Sequence, residues 1–323
     1  MGFITGFKKY RKELGKLHTQ NDGNLLKLFI DSVWSRVKYG CVLNHYTIGN
    51  FYKRSSFERK KIFTYRDWEK VVSSVNDIQS IHYLQNKVDF NSFFSDFIGR
   101  DWLYSKDMRL EEYEMFCSKH NEAIVKPMKG LEGDGVMLQT LPQNPIDIQE
   151  SYERLKSLDV LIEEKIIQHP NMIFENKSVN TIRVYTAYNS QTKEVSIIKT
   201  VIRVGVGDSI VDNSHSGGCA YEIDKESGYI ISPFYANNRI SSFIHPNTHI
   251  CMIGKKIPFW DEVIEISIKG AKKLPNCCFI GWDVAITKNG PILIEGNHMP
   301  DLDMIEFVGS YGYKSLIMKG LGL

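Results

Sequence analysis

The chain has 323 residues, 42% hydrophobic and 24% charged, with 40 Lys+Arg against 38 Asp+Glu. At roughly 100–200 residues per domain this allows two or three lobes with a sizeable core, and the composition excludes a collagen, a disordered tail and a disulfide scaffold. No window approaches the ~18 consecutive apolar residues of a membrane-spanning helix, and MGFITGFKKYRKELGK lacks the apolar stretch of a secretory leader, so a soluble cytoplasmic protein is expected.

Charge is unevenly spread. Residues 1–80 carry 15 Lys+Arg against 7 Asp+Glu, and the rest carries 25 against 31. Near the start, Phe3, Phe7, Tyr10, Leu14 and Leu17 recur at helical steps among Lys8, Lys9, Arg11, Lys12 and Lys16. This spacing predicts a basic amphipathic helix. It either rests on an anionic membrane, at its inner face, or packs its apolar side on the body with the basic side in solvent. No recognition motif for nucleic acid accompanies the charge, so nucleic acid is not an expected partner. Helical spacing recurs through Leu25–Val37 and Trp68–Leu84, which makes residues 1–100 a mainly helical region. The six cysteines include no C-x-x-C pair and are expected to be mostly buried, reduced thiols.

Beyond residue 100 the texture changes. Asn121–Met128 and Gly135–Leu141 are short β-like runs around a Gly-bearing loop, Asp147–Ser157 reads as a helix and Asp159–Ile167 as a buried strand. Ser178–Asn189 and Glu194–Gly205 predict a long hairpin, and Phe259–Leu274 has helical apolar spacing. A second hairpin follows about the KNG turn. The fold class is α+β, a helical lead-in followed by a body of antiparallel sheets.

The second hairpin, FIGWDVAITKNGPILIEGN, carries the most chemistry. With its turn centred on Asn289, Val284 faces Ile294, Asp283 faces Glu295 and Gly281 faces Asn297. Period-two alternation then sends Asp283, Glu295 and Asn297 to one side, and Val284, Ile292 and Ile294 to the other. Two carboxylates placed opposite repel unless a cation sits between them, and such oxygen ligands suit Mg²⁺ or Mn²⁺. Two acids on a solvated face, paired with Lys or Arg, are the alternative. In IVKPMKGLEGDGVMLQ, Lys126 ends an apolar strand ahead of Gly130, Gly133 and Gly135. Such a loop can lie over phosphates with Lys126 as a point charge, or be an ordinary Gly-rich hairpin turn. LIEEKIIQHP has an apolar approach followed by Glu163, Glu164 and Lys165, suited to an adenine ring. Arg183 and Arg203 fall at inward-compatible positions on the two long strands, where Arg suits phosphate or carboxylate, or a cross-strand pair. VDNSHSGG is a polar loop able to close on a substrate, or an ordinary surface loop.

In order, these pieces resemble the ATP-grasp superfamily, and in particular the sugar-transfer-associated ATP-grasp proteins of polysaccharide synthesis. NKVDFNSFF, RDWL, IVKPMKGLEGDGV, SVNTIRVYT, VDNSHSGG and GWDVAIT..GPILIEGN carry the likeness, from about Tyr46 to Glu306. The resemblance implies two α+β subdomains sandwiching ATP, at 101–166 and 167–323, behind the helical region of 1–100. It implies Lys87 and Lys126 as nucleotide lysines, and Gly133 and Gly135 in a flap over the phosphates. Glu163, Glu164 and the backbone near Ile166 would lie at the adenine. Asp283, Glu295 and Asn297 would hold Mg²⁺ or Mn²⁺, and Arg183 and Arg203 would neutralise the transferring phosphate. Asp212, Asn213, His215 and His298 fall on the acceptor side. Two departures stand out: Asn86 replaces the family's usual Asp before Lys87, and His169–Pro170–Asn171 replaces the acidic residue expected at the ribose.

The implied activity joins a carboxylate, such as a uronic acid or amino acid, to an amine through an acyl-phosphate. The same site in a kinase would pass phosphate to a sugar hydroxyl and stop. A glycosyltransferase reading rests on Asp301–Leu302–Asp303, a D-x-D tripeptide, and a non-catalytic nucleotide-binding scaffold is opposed by intact Asp283, Glu295 and Asn297.

Overall fold

The computed structural model describes residues 13–15, 24–130, 135–176, 178–205, 219–236 and 239–323. Of the basic helix expected over Phe3–Leu17, residues 13–15 are described and helical; the rest lies outside the described residues. Leu14 is buried with Leu28, Tyr39, Tyr46 and Phe51, so this turn packs apolar residues on the body.

Asn24 caps the first long helix, α1 (Leu25–Tyr39), by accepting from the Leu26 N–H at 2.8 Å. Short helices α2 (Leu43–Ile48) and α3 (Ser56–Lys61) lead to α4 (Tyr65–Val75). The helix expected to run on to Leu84 breaks at Asn76, which bridges to Cys277 in extended conformation. Its amide donates to the carbonyls of Phe279 and His298 at 2.9 and 2.6 Å. Those tertiary bonds replace the next helical turn. Helix resumes as α5 (His82–Gln85), α6 (Lys87–Phe93) and α7 (Ser95–Ile98).

The first sheet contains β1 (Trp102–Tyr104), β2 (Glu122–Pro127), β3 (Met137–Thr140) and β4 (Val160–Glu164), all antiparallel in the order β1-β4-β2-β3. Helices α8 (Leu110–Lys119) and α9 (Pro145–Ser157) cover it through Tyr113, Phe116 and Leu155. The second sheet comprises β5 (Thr181–Tyr188), β6 (Val195–Val204), β7 (Cys219–Ile223), β8 (Phe234–Ala236), β9 (Arg239–Ser242), β10 (Phe279–Thr287) and β11 (Gly290–Asn297). Its seven strands run in the order β11-β10-β5-β6-β7-β8-β9.

Alternation gives this sheet two faces. Ile182, Val184, Ile202, Trp282, Val284 and Leu293 pack into a core with α5–α7 and with α10 (Trp260–Lys273). On the other face, Tyr185, Ala187, Val201 and Phe279 pack under α4, α11 (Leu302–Phe307) and α12 (Lys314–Leu321). The same face also carries the polar residues Arg183, Arg203, Asp283 and Glu295. From the turn to Val284 the hairpin register is one residue off the expected one: Thr287 pairs with Gly290, Ala285 with Ile292 and Val284 with Leu293, not Ile294. Ile292 thus leaves the Val284 side, and a bulge after Asp283 takes up the shift. Leu293 therefore fills the core and Ile294 stands only half-buried. Beyond the bulge the expected pairs hold, Asp283 with Glu295 and Gly281 with Asn297.

Cys41, Cys117, Cys219 and Cys277 are buried, Cys278 is half-buried and Cys251 exposed, all as free thiols. Among the described residues no helix is long and apolar enough to cross a membrane.

Candidate active site

One row of residues crosses the second face of the large sheet. Glu295 on β11 pairs in register with Asp283 on β10, Asp283 with Arg183 on β5, and Arg183 with Val201 on β6. Arg203, two residues beyond Val201, lies on the same face. Asp283 is 2% exposed and accepts at both oxygens from Arg183, with Nη2 to Oδ2 at 2.9 Å, while Arg203 Nη1 reaches Oδ2 at 2.8 Å. Burial opposes its charge, but the two guanidiniums outweigh burial and hold the carboxyl well below the usual carboxylate range.

Glu295 reaches solvent, yet dense surrounding protein and the Asp283 carboxylate push its pKa upward. The amide of Asn297 donates to Glu295 Oε1 at 3.3 Å. The three hairpin residues thus share one side, and their oxygens fit a hard divalent cation. Gly281 belongs to the same patch: a Cβ there would stand 3.1 Å from both Arg183 Cδ and Pro300 Cβ. Arg183 and Arg203 are on this face as expected, but they grip Asp283, so they fix that carboxylate as well as supplying positive charge.

Lys126, on β2, ion-pairs with Oε2 of Glu163. The other oxygen of Glu163 accepts from Arg100 Nε and Nη2 at 2.9 and 2.7 Å and from Asn91 Nδ2 at 2.9 Å. Glu163 is 1% exposed, and although burial opposes ionisation, Lys126 and Arg100 hold it well below the usual range. Its carboxylate is therefore committed inside the protein and aims Lys126. Glu164 accepts from the Asp101 N–H at 3.0 Å, which binds its carboxylate to the start of β1. Ile166 follows the end of β4, half-buried, and its main chain makes no hydrogen bond among the described residues.

Lys87 opens α6, and its ammonium donates to the Met128 carbonyl just after β2, at 3.3 Å. Partial burial lowers its pKa and Lys126 adds to this, while Glu295 and Glu163 favour its charge. Asn86 caps α6 by accepting from Val88 and Asp89 N–H at 2.9 and 3.2 Å, a task Asn performs as well as Asp. Gly135 takes φ +74°, and a Cβ would meet Pro127 Cγ at 2.8 Å, so the turn between β2 and β3 demands glycine there. Gly133 lies outside the described residues.

On the acceptor side, Asp212, Asn213 and His215 also lie outside the described residues. His298 is half-buried against Gln85, at 3.3 Å, and burial lowers its pKa. The D-x-D tripeptide is used structurally: Asp301 caps α11 through the Asp303 N–H at 2.9 Å, and Asp303 pairs with His45 at 2.7 Å. That geometry removes the basis of the glycosyltransferase reading.

Two groups of residues were not anticipated. Arg100 and Asn91 link Glu163 to the hairpin, since Arg100 Nη1 also donates to the Leu293 carbonyl at 2.7 Å. Lys199, on β6, is 2% exposed and donates to the carbonyls of Ile305 and Ser310 at 2.9 and 2.8 Å and to that of Val308. A lone Arg before an apolar strand and a lone Lys within one give no spacing signal, although Arg100 opens RDWL and Asn91 lies in NKVDFNSFF, two of the segments that carry the likeness.

The sugar-transfer associated ATP-grasp family model matches residues 69–319. The chain belongs to that family. The match of this ATP-grasp chain begins within α4 and ends within α12, so it starts later and runs further than the resemblance read from the sequence. The two antiparallel sheets with their helices are the ATP-grasp fold, preceded by helices outside the matched span. A comparison with curated proteins finds no match.

Among solved structures, the chain is similar to the ATP-grasp ligase PsnB complexed with a phosphomimetic variant of its minimal precursor, Mg and ADP. The identity is 16% and the TM-score 0.41, covering 78% of this chain and 62% of that one. It is also similar to D-alanine–D-alanine ligase from Bacillus anthracis complexed with ATP, at 13% identity and TM-score 0.38, covering 70% and 57%. N5-carboxyaminoimidazole ribonucleotide synthetase from Thermotoga maritima matches at 15% identity and TM-score 0.42, covering 75% and 51%. The chain spans three fifths or less of the length of the last two, and 62% of the first.

Proposed function

We propose that this ATP-grasp protein is a cytoplasmic, ATP- and Mg²⁺-dependent carboxylate–amine ligase of surface polysaccharide synthesis, with a uronic acid or an amino acid as its carboxylate substrate. The observation that carries the reading is the Glu295–Asp283–Arg183 row, with Lys87 held on the Met128 carbonyl at the end of the strand that carries Lys126. In this reading residues 1–100 are a helical platform, and nucleotide lies between subdomains 101–166 and 167–323.

Each group then has a physical task. Lys126, aimed by Glu163, and Lys87 act as point charges on the nucleotide phosphates. The main chain of Ile166, without a hydrogen bond among the described residues, serves the adenine edge, and Gly135 brings the flap backbone close to the phosphates. Asp283, Glu295 and Asn297 would hold Mg²⁺ or Mn²⁺. When bound, the ion neutralises phosphate charge that two carboxylates would otherwise repel. Arg183 and Arg203 keep Asp283 ionised and placed, and they put positive charge beside the transferring phosphoryl group.

The substrate carboxylate oxygen attacks the γ-phosphorus, the bond to the β,γ-bridging oxygen breaks, and ADP leaves. The amine nitrogen then attacks the acyl carbon, loses its proton, and expels inorganic phosphate with the bonding pair. An ADP-release screen of uronic acids and amino acids against a panel of amines, with mass spectrometry of the products, tests this. An amide formed with one ADP and one phosphate per turnover is the expected result. A phosphate ester on a sugar hydroxyl, without an amine requirement, would make the protein a kinase.

A further inference from the structure

The outward face of α1 is apolar and has no protein partner among the described residues. Leu26, Ile30, Val33, Trp34 and Val37 are 42–65% exposed, at the three- and four-residue steps that put them on one side of a helix. Leu28, Ser32, Ser35 and Tyr39 form the opposite, buried side. A helix that already buries one face in its own core does not need a second apolar face.

The charges around this face select its occupant. Lys27, Arg36 and Lys38 are exposed beside it, and the Lys38 ammonium stands 5.5 Å from the centre of the Trp34 ring. The one acid on the helix, Asp31, is taken by Arg59 at 2.7 and 2.9 Å and by the Tyr46 hydroxyl at 2.7 Å. Two copies of the face meeting each other would set like charges together. An anionic surface with an apolar interior matches both features, and Trp with Lys at the rim suits the headgroup level. At 1.5 Å per residue the 15-residue helix is about 22 Å long, short of the ~30 Å bilayer core.

We propose that α1 lies in the plane of an anionic lipid bilayer, its Leu26–Val37 face sunk among the headgroups and Lys27, Arg36 and Lys38 on lipid phosphates. This does not rest on the ligase reading. The test is co-sedimentation of the full chain with vesicles of phosphatidylcholine alone and of phosphatidylcholine with 30% phosphatidylglycerol. Binding to the anionic vesicles should exceed that to neutral ones by roughly a hundred-fold, the contribution of about three basic groups. Ile30→Glu with Val37→Glu should lower it ten-fold or more at an unchanged melting temperature. Lys27→Glu with Lys38→Glu, which leaves the apolar face intact, should abolish most of the preference for anionic vesicles.

Absence of anionic-vesicle binding overturns the proposal, as does undiminished binding by the Ile30→Glu, Val37→Glu double variant. So does a dimer in light scattering that this double variant dissociates, because the face would then belong to a second copy. Protection of the Trp34 fluorescence from acrylamide in the free monomer, read against Trp34→Phe, would show the face covered by the chain itself and would equally overturn it.

Discussion

Arg100 donates twice to a single oxygen of Glu163, through Nε at 2.9 Å and Nη2 at 2.7 Å, and both side chains are almost wholly buried. Glu163 belongs to the small sheet, and the same guanidinium holds the Leu293 carbonyl of the large one. One ion pair therefore sets how Lys126 stands relative to the acidic hairpin.

Glu163→Gln leaves Arg100 and Lys126 facing a neutral amide. Removing one partner of a buried pair should cost about 3 kcal/mol, read as a shift of the urea midpoint at pH 7. Nucleotide affinity should fall with it, because Lys126 loses its support.

The same pair makes a pH prediction. Glu163 titrates below its unfolded value of about 4.3, so its contribution is full above that pH and is lost as pH falls through the lower folded value. Asp283 acts with the same sign. Urea melts from pH 6 to pH 2 should show the stability gap between wild type and Glu163→Gln closing as the acid limb is entered.

Lys199 fastens the segment after α11 to the sheet through three carbonyls. Lys199→Met strands those acceptors and should cost about 3 kcal/mol. Burial pulls its ammonium down to about 8. Between about 8 and the free value near 10.4 the unfolded chain holds a proton that the folded one has released, so this group favours folding more as pH rises. The deficit of Lys199→Met against wild type should therefore widen over that window.

Gly281→Ala tests the close approach beneath Arg183. The added methyl at 3.1 Å from the Arg183 and Pro300 side chains should cost about 1 kcal/mol of stability, measured by urea melts. ADP formation should fall ten-fold or more, since Asp283 depends on that arginine.

Much of the site was legible because hairpin chemistry is local. Glu295 and Asn297 share a face by period-two alternation alone, and Asp283 joins them because the bulge after it restores its pairing with Glu295. The bulge that replaces Ile294 by Leu293 opposite Val284 was not legible, because either residue satisfies the apolar pattern and three-dimensional fit decides between them. Glu163 was read towards the adenine because its sequence neighbours say nothing of Asn91, Arg100 or Lys126, which reach it from 72, 63 and 37 residues away. The break of the helix at Asn76 had the same origin: its partners lie some 200 residues on.

The divalent-ion assignment is tested most directly by electron paramagnetic resonance of Mn²⁺ titrated into the protein with saturating ADP, wild type against Glu295→Gln. The wild-type chain should bind Mn²⁺ in a nucleotide-dependent manner, and Glu295→Gln should weaken that binding ten-fold or more while keeping its melting temperature. Equal Mn²⁺ affinity in the two proteins would contradict the account.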